Sequence, residues 1–298
     1  MLLRNGLALL PLFIRSERRA MLCMSEESVP VSAERWFVEA PETYEALAQQ
    51  ASRSVISGLS HSRRLCVEAA TPELDPTSAV YKPDELVHFA RELAASSILS
   101  SASSLLPKSK PHVKLLFGST QEATMAGAAV LDTSLPVSVL GYSTSVGPRD
   151  GAFIVVAPSL TSGMDMEGAL NALLQEAGGR LVMLINPRLG NAPILTTFEP
   201  CYLFRPLSLA YLSDQYSKQI DRVAACVLRC FPHEYSILYD AARRRQGERS
   251  DWRYAGRFSS PPQPIQIEEL LQMALTDLRN ARFKEAAAAA RGETTSTE

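Results

Sequence analysis

The chain has 298 residues, of which 46% are hydrophobic, and a formal net charge of -2; that is enough apolar material for one large or two small domains with a sizeable core. A pI of about 6.2 argues against a dedicated nucleic-acid binder, which carries a strongly basic face, and no uninterrupted apolar run approaches the roughly 20 residues of a membrane span. The five cysteines (Cys23, Cys66, Cys201, Cys226 and Cys230) are odd in number and irregularly spaced, which points to a reducing compartment rather than a disulfide framework.

Residues 1–40 read as a targeting leader and linker. Arg4, Arg15, Arg18 and Arg19 stand against the single acid Glu17 up to Met24, a bias shared with organelle transit peptides. The alternatives are a cleaved secretory peptide or first part of a two-part plastid signal, and a disordered tail with Met21 or Met24 as the true start.

Residues 41–258 read as a single α/β domain. Tyr44, Leu47, Ala48, Ala51, Val55 and Leu59 recur at helical spacing, and Arg64 to Ala69 alternates as a strand with Leu65, Val67 and Ala69 inward. A second helix is expected from Asp84 to about Leu99, then a serine-rich surface loop. His112 to Gly118 predicts a strand, and Ser119 with Glu122 a capping box for the helix that follows. Val137–Tyr142 and Ala152–Ser159 are further β-rich runs. Asp165 precedes a helix that Gly178-Gly179 stops, and Arg180–Ile185 has the continuous apolar content of a strand covered on both faces. Strands alternating with helices at this spacing imply a mainly parallel sheet with helices on both faces.

The pattern changes after the aromatic strand Phe198–Phe204. Tyr211–Ile220 reads as a short polar helix, and Arg222–Phe231 and Tyr235–Tyr239 about Pro232-His233-Glu234 as an antiparallel hairpin at one sheet edge. Residues 259–298 read as a Pro-rich connection, an amphipathic helix marked by Ile267, Leu270, Leu271, Ala274, Leu275 and Leu278, and a disordered tail.

Motifs that carry chemistry are sparse. Neither a Walker loop nor a G-x-G-x-x-G fingerprint is present, no serine lies in a G-x-S-x-G elbow, and no second Cys or His pair completes zinc ligation around Cys226 and Cys230. No cofactor, metal or catalytic residue is therefore assigned. The candidates for a ligand or partner contact are Asn186 and Arg188, where a central strand ends in a crevice, and Arg205 just past the aromatic strand, since arginine binds carboxylates bidentately. Arg243, Arg244, Arg245 and Arg249 form a basic patch suited to an acidic protein or to peripheral contact with an anionic membrane.

Four stretches carry a resemblance: PETYEALAQQASRSVISGL with RRLCVEAATPEL within Pro41–Leu74, KLLFGSTQEATMA at Lys114–Ala126, GRLVMLINPRLG at Gly179–Gly190, and FEPCYLFRPL through CFPHEYSILYD at Phe198–Asp240. The chain resembles the plastid and cyanobacterial domain of unknown function found in the low-photosystem-II-accumulation-3 factor and after the kinase part of a chloroplast adenylate kinase. The resemblance implies a non-enzymatic chloroplast accessory protein, stromal or thylakoid-associated, whose partners are photosystem or thylakoid assembly proteins. The alternative is a small-molecule-binding or enzymatic α/β domain that uses the strand-end crevice near Asn186.

Overall fold

The computed structural model describes residues 39–99, 112–129, 137–140, 146–160, 165–214, 219–242 and 250–291. Within them nine strands form one sheet in the order β3-β2-β4-β5-β1-β6-β7-β8-β9. The elements are α1 (Tyr44–Leu59), β1 (Arg64–Ala69), α2 (Pro83–Leu93) continued by a π-helical turn (Ala94–Leu99), β2 (His112–Phe117), α3 (Thr120–Ala129), β3 (Val137–Val139) and β4 (Asp150–Val156). There follow α4 (Met166–Ala177), β5 (Leu181–Ile185), a 3-10 turn (Pro193–Thr197), β6 (Glu199–Asp214), β7 (Gln219–Cys230), β8 (Tyr235–Asp240), β9 (Trp252–Phe258) and α5 (Pro264–Ala290).

Pairing is parallel from β3 through β6 and antiparallel from β6 through β9. The parallel half matches the expected alternation. Each helix there begins and ends where local chemistry dictates: Thr43 accepts from the Ala46 N–H at the start of α1, Asp165 accepts from Gly168 at the start of α4, and Gly178 stops α4 at φ 58°, a conformation that costs glycine little. The Ser119 side chain accepts from the Glu122 N–H at 3.2 Å, as the capping motif predicts. The second helix is shorter than expected as an α-helix, because its last turn widens into the π-helical segment.

Two cores lie on opposite faces of the sheet. One is built from α1, α2 and α3 residues such as Val55, Phe89 and Ala126 over Leu65, Val67 and Ile154. The other sets Leu170, Leu173 and Leu174 of α4 against Phe153, Val155, Val182 and Leu184. Cys66, expected to face outward, lies in this second core, because β1 is an interior strand covered on both faces. A third cluster packs Leu271, Leu275 and Leu278 of α5 against Val223, Val227 and Ile237 of the antiparallel half.

The antiparallel half is larger than the single hairpin read from the sequence. The β7–β8 hairpin is present, and β6 and β9 extend it to a four-stranded meander. The helix expected over Tyr211–Ile220 is not formed: β6 continues to Asp214 and β7 begins at Gln219, in a ladder from Tyr202↔Cys230 to Asp214↔Gln219. The reason is the period-two pattern, in which Leu207 and Leu209 turn toward α5 while Ser208 and Ala210 are exposed. Beyond Phe204, the last residue paired to β1, and before Ala225, the first paired to β8, these strands have only each other as strand partners among the described residues. They form a two-stranded ribbon whose first part is covered by α5. β9 was also unanticipated, its strand signal lying inside an arginine-rich stretch.

Candidate functional site

In doubly wound sheets, ligands gather where neighbouring strands send their connections to opposite faces. Here β1 leads to α2 on the first face, while β4 leads to α4, and β5 to the 3-10 turn, on the second. The carboxyl ends of β5 and β1 are adjacent and diverge to opposite faces. The ends of β2 and β4 are likewise adjacent, β2 leading into α3 on the first face.

Asn186 occupies the β5/β1 position. Its N–H donates to Val67 at 2.8 Å, its Oδ1 accepts from the Ala69 N–H at 2.7 Å, and its Nδ2 donates to the carbonyls of Ala69 at 3.0 Å and Leu74 at 2.8 Å. The side chain is buried. Asparagine suits the place because it tolerates a left-handed backbone, here φ 47°, and offers both donors and an acceptor. It ties the 70–75 loop to the sheet, so the protein's own carboxamide fills the crevice at this point.

Ala157, which follows β4, is also left-handed at φ 45°. Since Val156 pairs with Ile185, the two left-handed residues stand side by side and turn both chains together. Pairing then resumes as a parallel bridge between Ser159 and Arg188, with the Arg188 N–H donating to Pro158 at 2.7 Å. Neither residue is glycine; asparagine tolerates the conformation, whereas at Ala157 it costs roughly 1–2 kcal/mol, a strain that clusters at binding sites.

This paired kink presents Arg188, partly exposed. Its charge reaches Tyr81, whose phenol burial pushes up, Glu122 pushes further up and Arg188 pulls down. Arg188, Tyr81 and Glu122 are thus within electrostatic reach of one another. The rim around Arg188 carries Leu160, 51% exposed, whose N–H donates to the Arg188 carbonyl at 3.4 Å, and Val80, next to Tyr81 in sequence, is 56% exposed.

Arg205 is engaged elsewhere, its Nη2 lying 3.3 Å from Glu68 Oε2 on β1. Burial raises the Glu68 carboxyl and the arginine opposes the shift. Arg243, Arg244, Arg245 and Arg249 lie outside the described residues. Of their neighbours in the arginine-rich stretch, Arg253 pairs with Asp251 at 2.8 Å and Arg257 with Glu234 at 3.4 Å.

A cleft of about 310 Å³ lies at the same strand ends, between the start of α1 (Pro41, Tyr44, Leu47), the loop after β1 (Thr71, Leu74) and Phe204 of β6. Sequence reasoning missed it, since its walls come from three separated segments. Tyr44 is held by His88, its hydroxyl 3.2 Å from Nδ1. Burial, followed by Glu92, Glu85 and Glu45, keeps its phenol protonated well above the usual range. The thiols of Cys66, Cys201, Cys226 and Cys230 are buried and their pKa values raised, chiefly by desolvation, which removes them from the list of nucleophiles.

A family model described as a domain of unknown function (DUF1995) matches residues 41–269. No solved structure matches the chain.

Proposed function

Since the chain belongs to the DUF1995 family, a family without an assigned activity, we propose that it acts as a non-enzymatic accessory protein of plastids, engaging a photosystem or thylakoid assembly protein through the rim around Arg188. The carrying observation is the pair of left-handed residues Ala157 and Asn186. They turn two strands outward to display an arginine beside exposed Leu160, a composition suited to a polypeptide partner, because arginine combines a bidentate donor set with apolar contact area. At the neighbouring switch point, where a substrate commonly sits, Asn186 is bonded to the chain itself. The arginine-biased leader and the resemblance of the folded region support the plastid setting.

Fractionation of plastids with co-purification of a tagged full-length chain tests the reading. The expected result is recovery with thylakoid assembly intermediates and loss of those partners in Arg188→Ala. Recovery solely in cytosol or mitochondria, or normal photosystem levels in a knockout, would overturn it.

A further inference from the structure

We propose that the cleft between α1, the 70–75 loop and Phe204 binds a small organic cation, an ammonium or guanidinium group carried on an apolar body. Its volume of about 310 Å³ is at the lower end of the ~300–1,000 Å³ typical of ligand sites. Leu47 and Leu74, both buried, line it together with Tyr44 and Phe204, so an apolar body is favoured over a compact hydrated ion.

Charge selects the head group. Glu42, Glu73 and Glu85 also line the cleft, and among the described residues none of the three has an ion-pair partner. A cation entering the cleft meets carboxylates that lack ion-pair partners and the aromatic residues Tyr44 and Phe204, both of which attract it. A neutral molecule of the same shape gains only the apolar contact.

The walls are fixed in advance. Asn186 Nδ2 holds the Leu74 carbonyl at 2.8 Å, the Lys82 N–H holds that of Glu73 at 2.8 Å, and the Thr43 side chain caps α1. A site that needs no ordering on binding keeps more of its contact energy. Asn186 is here a positioning residue, acting through the loop it anchors. The proposal is independent of the accessory role, since the rim around Arg188 and this cleft are lined by different residues.

The test uses the full chain and two probes of nearly equal shape, phenethylammonium and the neutral phenethyl alcohol, titrated by calorimetry. The expected result is one-to-one binding of the cation, with the alcohol at least about fivefold weaker. Glu73→Gln/Glu85→Gln should lose that preference while keeping its melting temperature. Thr71→Trp, which fills the cleft from a partly exposed position, should abolish binding of the cation. Failure of phenethylammonium to bind at millimolar concentration, equal affinity for the alcohol, or undiminished binding by the Thr71→Trp chain would each overturn the assignment.

Discussion

Asn186 shows how much one side chain can carry. Replacing it with alanine removes three side-chain hydrogen bonds and leaves the Ala69 N–H and two carbonyls without their partner in a buried place. Unsatisfied buried groups cost about 1–3 kcal/mol each when water cannot reach them, and local relaxation recovers part. Asn186→Ala is therefore expected to lower the unfolding free energy by about 2–4 kcal/mol in urea titrations. Asn186→Gly, which keeps the left-handed backbone without strain, should recover only the smaller share. The buried thiols make a second prediction. Cys201, Cys226 and Cys230 are each pushed from 9.0 up to about 12 by burial. Between those values the unfolded chain releases protons that the folded chain retains, so stability is unaffected by these groups below about pH 9 and falls as pH rises toward about 12. Urea midpoints measured across that window should decline, and iodoacetamide at neutral pH should leave these native thiols unlabelled.

Among the elements, α5 is the clearest test of where the core lies. A helix with this apolar stripe could have served as a docking arm, but Leu271, Leu275 and Leu278 are buried against the chain's own antiparallel strands. Leu275→Ala should cost about 2–4 kcal/mol by denaturant unfolding. The seam is tight on the other side too, since a Cβ added at Gly256 on β9 would lie 2.6 Å from Leu270 Cδ2. The atom met is the far end of a flexible, partly exposed side chain that can swing aside, so Gly256→Val is expected to cost no more than about 1 kcal/mol by denaturant unfolding. Legibility differed sharply between the two halves. α1, β1, α4 and β5 were readable because their spacing and caps act within a dozen residues. The ribbon of β6 and β7 was not: Ser213 to Lys218 interrupts the alternation with polar residues, and only pairing across the hairpin decides between helix and strand. β9 was hidden for a related reason, because an edge strand that carries Arg253 and Arg257 resembles a charged loop.

At the scale of the whole molecule, the candidate site was legible as a place and not as a mechanism. The apolar run of β5 followed by Asn186-Pro187-Arg188 located a strand end, yet which strand lies beside it depends on β1, far away in sequence. That neighbour converts Asn186 from an open ligand group into a clamp and leaves Arg188 to face outward. The division of labour predicts opposite outcomes for two variants two positions apart. Arg188→Ala should change the unfolding free energy by no more than about 0.5 kcal/mol while removing partner recovery, whereas Asn186→Ala should register first in unfolding.

The position of β1 also governs when the protein can become itself. Its residues Arg64–Val67 pair with Val182–Ile185 on one side, and Leu65–Ala69 with Glu199–Phe204 on the other, so the strand is synthesised early and seated late. Contacts of such sequence separation are slow to form, and until they form the apolar faces of α1 and β1 have no sheet to cover. A chain emerging from a ribosome thus keeps these apolar faces exposed until Phe204 has followed. Protease resistance of nascent chains stalled at increasing lengths should rise only once β6 is complete.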